Sequence, residues 1–242
     1  DALGFGATSY APAAGIETFR KGAAELIFGP DNALIQYRLA SIATIGGTNA
    51  IRTAAELLRC NKVLVPVLLS DPSWPNHFKI FRDQGIPIRT YRHLAADGMS
   101  YDHGALLEAI QESPRGTLVV MHAGSTHNPT GVNPSPEQWK ELADHLEGKQ
   151  ILIDAAYLGL GENLEEAVHG IRLFADREIP LMVAVSFSKN MTLYNKRTGI
   201  LLVVPKNPDQ AKIVQSHLIS IARGNFSSAP AHEPPTRRWN RR

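Results

Sequence analysis

The chain has 242 residues, 43% of them hydrophobic and 20% charged, enough apolar material for one large domain with a real core. It has no run of about 18 apolar residues, so no membrane span is expected, and its start, Asp1-Ala2-Leu3-Gly4-Phe5-Gly6, lacks the basic-then-apolar pattern of a signal peptide. The net charge of +2 belongs to a tail, where Arg237, Arg238, Arg241 and Arg242 lie in an acid-free final stretch; no aromatic-basic pattern extends upstream, so a solvated end is expected rather than a nucleic-acid or membrane contact.

The elements alternate between helical and β-rich runs. Residues 16–28 predict a helix, with Ile16, Phe19, Ala23, Leu26 and Ile27 on one face. Residues 41–45 are a short strand, Gly46-Gly47-Thr48-Asn49 a turn, and 50–60 a helix. Residues 62–69 form a continuous apolar strand, as in a sheet covered on both faces; residues 86–91 are another. A helix over 102–112 precedes a buried strand at 117–121. Ser135-Pro136-Glu137-Gln138 opens a helix with a capping box and proline at its first position; Trp139, Leu142 and Leu146 form its apolar face. Strands at 151–153, 181–185 and 200–204 and a helix at 164–176 complete the pattern. After Phe226 it stops, and residues 227–242 are expected to be loop or disorder. The order implies an α/β fold with a mostly parallel sheet. The single cysteine, Cys60, excludes an intramolecular disulfide and a multi-cysteine metal site; following Leu57-Leu58-Arg59, it is expected to be a buried structural thiol, and a reducing compartment fits.

Ligands in such a sheet gather at the carboxyl ends of the strands, where four clusters stand. Gly46-Gly47-Thr48-Asn49 precedes a helix; it is either an ordinary Gly-Gly turn or a phosphate site built on free backbone N–H groups, though not a P-loop, since Gly-Lys-Ser/Thr is absent. His127-Asn128-Pro129-Thr130-Gly131 is a tight loop, or a loop whose Asn128 amide meets a ring hydroxyl. Asp154, with Tyr157 three residues on, is a helix cap, a salt-bridged loop acid, or the partner of a cationic ring nitrogen. Ser186-Phe187-Ser188-Lys189-Asn190 ends a strand, with Arg197 eight residues after Lys189. That lysine either reaches solvent or is a desolvated Schiff-base amine, with Ser188 and Arg197 beside it as phosphate ligands.

In this order the segments HNPTG, IDAAY, SFSKN and LYNKRTG resemble the fold-type I, aspartate-type aminotransferases, over about Tyr10 to His232. The resemblance implies a transferase using pyridoxal phosphate that moves amino groups between aspartate or glutamate and 2-oxo acids. It implies that residues 1–226 are a pyridoxal-phosphate-binding large domain, a mostly parallel mixed sheet sandwiched by helices, incomplete at its start and followed by the tail rather than by a small C-terminal domain. It further implies that Lys189 carries the cofactor as a Schiff base and shuttles a proton, and that Asp154 pairs with the ring nitrogen. Tyr157 and Asn128 would hold the phenolic oxygen; Gly47, Thr48, Ser186, Ser188 and Arg197 the phosphate. Trp74, otherwise a core aromatic, would stack on the ring and, with Asn128, meet the substrate. His122 and His127, otherwise structural histidines, would lie beside the ring and its Asp. Across a homodimer interface Tyr10 would reach the partner's phosphate and Arg223 a substrate's distal carboxylate.

Four residues separate His122 from His127, where the family usually has three. The segment bearing the arginine that grips the substrate's α-carboxylate is not found, so a catalytically impaired cofactor-binding relative or fragment stands as the alternative. A cofactor-free lysine enzyme is disfavoured, because it leaves Asp154 and the Ser188/Arg197 pair without a purpose. No metal is expected. A cytoplasmic location is, with mitochondrion or plastid open.

Overall fold

The computed structural model describes residues 10–60, 65–123, 127–161 and 163–230. Among these residues seven strands form one sheet: β1 (Ala40–Ile45), β2 (Val67–Asp71), β3 (Ile88–Arg92), β4 (Leu118–His122), β5 (Gln150–Ala155), β6 (Leu181–Ser186) and β7 (Thr198–Val204). Their order across the sheet is β1-β7-β6-β5-β4-β2-β3. The pairs from β6 through β5, β4 and β2 to β3 are parallel; β7 is antiparallel to both β6 and β1. With β7 alone reversed among these strands, the other six end at one common edge.

Among the described residues eight α-helices cover the sheet: α1 (Glu17–Phe28), α2 (Ala33–Tyr37), α3 (Gly46–Cys60), α4 (Pro75–Asp83), α5 (His103–Glu112), α6 (Pro136–Asp144), α7 (Leu164–Asp176) and α8 (Pro208–Asn225). Strand side chains alternate between two cores, as the pleat requires. Val119, Ile153 and Val183 pack with Ile27, Leu106, Leu142 and Phe174 on one face. Leu118, Leu152 and Ala184 pack with Ile51, Ala54, Phe81 and Leu218 on the other. Burying both faces explains the unbroken apolar runs of β4 and β6, every residue of which is buried. Each fully buried Leu or Phe contributes roughly 1.5–3 kcal/mol relative to an exposed one.

The Ser135 capping box forms as expected: Ser135 Oγ accepts the Gln138 N–H at 3.3 Å, and Gln138 Oε1 accepts the Ser135 N–H at 2.8 Å. Other expectations are corrected. The turn expected at Gly46-Gly47-Thr48-Asn49 is the first turn of α3, which begins directly after β1. The strand expected at 62–69 is β2, which runs to Asp71 because Ser70 and Asp71 pair with Tyr91 and Arg92; residues 61–64 lie outside the described residues. Cys60 is exposed, not buried. It ends α3 beyond the stripe Ile51, Ala54, Ala55 and Leu58 that faces the sheet, and its thiol donates only to the Glu56 carbonyl, at 3.4 Å. Helices α2, α4 and α8 go beyond the expected elements; α2 is only five residues long, α4 is amphipathic and buries His77, Ile80 and Phe81, and α8 buries only Ala211, Leu218 and Ala222 across 18 residues. Residues 227–230 form no regular element; the basic tail and Asp1–Gly6 lie outside the described residues.

Candidate active site

Strand ends and the segments just after them bring the four clusters together. Gly47, Thr48, Trp74, His122, Asn128, Asp154, Tyr157, Ser186, Ser188, Lys189 and Arg197 line one cavity of about 200 Å³, at the edge where β1, β2, β4, β5 and β6 end. Ile51, Ala156 and Tyr194 complete its wall. A larger cavity of about 490 Å³, between α6 and α7, contains neither Lys189 nor Asp154 and is not the candidate.

The β6–β7 connection supplies the basic end of the site. Reversing the chain between Ser186 and Thr198 puts Ser188, Lys189 and Arg197 in one loop, closed where the Phe187 N–H donates to the Thr198 carbonyl at 3.1 Å. Arg197 is left-handed, with φ 52°, an uncommon conformation for a residue with a side chain. From there its Nη1 donates to Ser188 Oγ at 3.3 Å and to the Tyr194 carbonyl at 3.2 Å. Lys189 is three residues past the end of β6 and half-buried rather than sealed in the strand, its ammonium 4.2 Å from the Tyr157 ring centroid. That separation lies within cation–π range.

Glycines bring α3 against this loop. A Cβ on Gly46, whose φ is 72°, would lie 2.6 Å from the Arg197 guanidinium; one on Gly47 would lie 2.8 Å from Ser186 Cβ. Only hydrogen on those α-carbons allows the N-terminus of α3, with its free N–H groups and positive dipole end, to share a cradle with Arg197, Ser186, Ser188 and Thr48. Such a donor set suits a phosphate.

The opposite end is built around a buried carboxylate. Asp154, 5% exposed, is the penultimate residue of β5. Its Oδ1 accepts the Ala156 N–H at 3.1 Å, and its Oδ2 lies 3.0 Å from His77 Nε2. Burial by itself raises the Asp154 carboxyl. The hydrogen bond and attraction of His77 outweigh it, with help from His122 and the Ala156 N–H, so the group lies below its ordinary range. Ser73 Oγ, 3.0 Å from His77 Nδ1, fixes that ring in turn. His122 is 6% exposed, and neither ring nitrogen has a hydrogen-bond partner among the described residues. Burial pushes this imidazole down to about 4, partly opposed by Asp154.

His127 does not line the cavity but backs it. Its Nε2 is 2.9 Å from Ser70 Oγ and its Nδ1 2.8 Å from Thr130 Oγ1, which anchors the loop that presents Asn128. His93 stacks on it with ring centroids 3.6 Å apart. Residues 124–126 of the His122–His127 loop lie outside the described residues. Trp74 is half-buried just before α4 and edge-on to His77; it lines the cavity and also packs against the core. Tyr10, 89% exposed, and Arg223, exposed on the last turn of α8, are not brought to this cavity within the single chain.

Sequence reasoning gave no role to His77, Ser70, Ser73 or Tyr194. A signal for His77 existed: Ser73 and His77 are four apart at the start of α4, the spacing at which helical side chains meet.

A family model described as "Aminotransferase class I and II" matches residues 3–235. The chain is 38% identical over 222 residues to "Aspartate aminotransferase P2, mitochondrial" of Lupinus angustifolius, covering 90% of this chain and 49% of that one. It is 39% identical over 221 residues to the aspartate aminotransferase of Haemophilus influenzae, covering 90% and 56%. Its fold superposes with a TM-score of 0.91, at 33% identity and covering 95% and 58%, on the aromatic-amino-acid aminotransferase of Burkholderia pseudomallei, a structure described as covalently bound to pyridoxal phosphate. The chain thus spans about half the length of the curated relatives it matches. Both the family match and the arrangement of strand ends around the cavity lead to one assignment: this chain belongs to the aminotransferase class I and II family.

Proposed function

We propose that this chain provides the cofactor domain, residues 1–226, of an aminotransferase that moves amino groups between aspartate or glutamate and 2-oxo acids, with Lys189 as the cofactor-bearing residue. The family's cofactor is pyridoxal phosphate. The observation that carries the proposal is that one cavity is lined by the amine of Lys189, the carboxylate of Asp154 and the Arg197/α3 cradle. The residues fit the group: an anion cradle that any Cβ at Gly46 or Gly47 would fill, a carboxylate kept ionised at the far end, and a lysine beside Tyr157.

When bound, pyridoxal phosphate supplies an aldehyde for an amine and a ring that draws electrons from the reacting carbon. In this proposal the phosphate is held by Gly47, Thr48, Ser186, Ser188 and Arg197. Asp154 holds a proton on the ring nitrogen, and His77, tied to Ser73, keeps Oδ2 oriented for that task. Tyr157 and Asn128 hydrogen-bond the phenolic oxygen. Trp74 would cover the ring and, with Asn128, meet the substrate, while His122 would lie beside the ring and Asp154, and His127 would brace the Asn128 loop from behind the cavity. Lys189 Nζ would be the amine that holds the cofactor's aldehyde and the base that moves the substrate's α-proton.

The exposed positions of Tyr10 and Arg223 suit residues that act in a neighbouring subunit, so a homodimer is part of the proposal, with Arg223 meeting a dicarboxylate's distal group. A reducing, cytoplasmic setting is also proposed, since Cys60 is an exposed free thiol. No described helix is long and apolar enough to cross a membrane.

The test is an absorbance scan with and without added pyridoxal phosphate, then borohydride reduction and peptide mapping. The expected adduct is on Lys189; an adduct elsewhere, or none at saturating cofactor, overturns the proposal. Sedimentation with and without cofactor tests the dimer.

A further inference from the structure

We propose that His77, His122 and Asp154 form a site for a divalent transition-metal ion, zinc foremost, in the cofactor-free chain, and that metal and pyridoxal phosphate exclude one another there. The exclusion rests on the function proposed above; the metal site does not.

The three residues come from α4, β4 and β5, and no sequence spacing joins them. All are buried, and one ligand atom from each lies within 4.8 Å of the others. A tetrahedral zinc ion with bonds of about 2.0–2.2 Å holds its ligand atoms roughly 3.3 Å apart, so small side-chain movements close this set around an ion. Two imidazoles and one carboxylate suit zinc, cobalt or copper, and the nitrogens disfavour magnesium and calcium.

Each ligand atom is ready for a cation. His122 is the independent pointer: a buried imidazole on the cavity wall, with no hydrogen-bond partner at either nitrogen among the described residues. Leaving such a buried group unpaired is costly, and a metal bond relieves that cost. His77 Nε2, now against Asp154 Oδ2, turns to a metal by a change of tautomer. Ser73 Oγ, 3.0 Å from Nδ1, supports either tautomer because a hydroxyl both donates and accepts. The same serine then orients a metal-bound His77, as outer partners of metal ligands commonly do. Asp154 Oδ1 stays engaged by the Ala156 N–H, leaving Oδ2 for the ion. His122 and Asp154 also line the cavity that holds Lys189, so the fourth coordination position is open to water. Asp154 cannot give Oδ2 to a metal and hold a proton on a ring nitrogen at once, which makes the two ligands exclusive.

The test uses the untagged 242-residue chain, freed of cofactor and chelators, titrated with zinc against a chromophoric chelator and separately with cobalt, read by its visible spectrum. We expect one zinc per chain and the intense visible absorption of four-coordinate cobalt. His122→Leu and Asp154→Asn should each weaken zinc binding by more than about 100-fold, and Ser73→Ala by about 10–100-fold, the usual cost of an outer partner. Circular dichroism verifies folding, and Cys60→Ser should leave binding unchanged. Prior saturation with pyridoxal phosphate should abolish the cobalt spectrum. Equal zinc affinity in wild type, His122→Leu and Ser73→Ala, or loss of the site in Cys60→Ser, overturns the metal site. A cobalt spectrum that survives a Lys189 adduct overturns the exclusion. The two proposals fail separately: an adduct without zinc binding sinks only this one, and zinc binding without any adduct sinks only the proposed function.

Discussion

His122 should make this fold sensitive to acid, and replacing it with leucine should remove a measurable part of that sensitivity. The imidazole is buried and its proton affinity falls from 6.5 to about 4, chiefly because burial disfavours the charged form. The folded state thus binds this proton less tightly than the unfolded state does. The stability that comes from keeping the ring neutral is full above pH 6.5 and is lost as the pH falls toward 4. At about 1.4 kcal/mol per pH unit, that window holds about 3 kcal/mol. Burial also lowers His127 and His93, so the wild type should lose stability faster than one proton alone requires. Comparison with His122→Leu isolates a single proton. Asp154, depressed below 3.8, gives up its contribution only below this window. The assay is urea unfolding of the cofactor-free, metal-free protein across the window. Leucine changes the stability at neutral pH for reasons of packing, but only the slope against pH matters. We expect the wild-type slope to exceed the variant's by about 1.4 kcal/mol per pH unit between about pH 6 and 4.5. Parallel slopes would mean that His122 takes up its proton as readily folded as unfolded, and the account of its burial would be refuted.

Gly199→Ala puts a Cβ 2.5 Å from the backbone carbon of Gly46, so β7 and the start of α3 must separate; the expected loss is about 1–3 kcal/mol in thermal or urea unfolding, with weaker binding of inorganic phosphate. Unchanged stability would show that α3 moves freely there. Ser135→Ala removes the side-chain half of the capping box and should cost about 1 kcal/mol in unfolding, with no change in cofactor binding. Asp154→Ala should keep some pyridoxal phosphate through Lys189 and the Arg197 cradle, yet lose the amino-transfer half-reaction by several orders of magnitude in stopped-flow absorbance. A near-normal rate would remove Asp154 from its proposed role.

The sequence by itself determined the class of fold and most of the cavity wall. Continuous apolar runs such as residues 181–185 require a sheet buried on both faces, and Ser135-Pro136-Glu137-Gln138 can start only a helix. Polar residues placed just after such runs, Asp154 and Ser188-Lys189 among them, land at strand ends because the local pattern sets where a strand stops. What the pattern left out is long-range. Nothing local pairs His77 with Asp154, 77 residues away, or sets Ser70 against His127; both follow from β2, β4 and β5 lying side by side. Periodicity also misjudged Cys60, because an apolar neighbourhood in sequence does not say which side of α3 meets the sheet. Gly46 and Gly47 read as turn formers, whereas the tertiary structure uses them, with Gly199, to let α3 approach β7 and Arg197. Local interactions choose helix or strand residue by residue, but a site is made by surfaces that meet only once the sheet order is set, and that order depends on the packing of the whole chain.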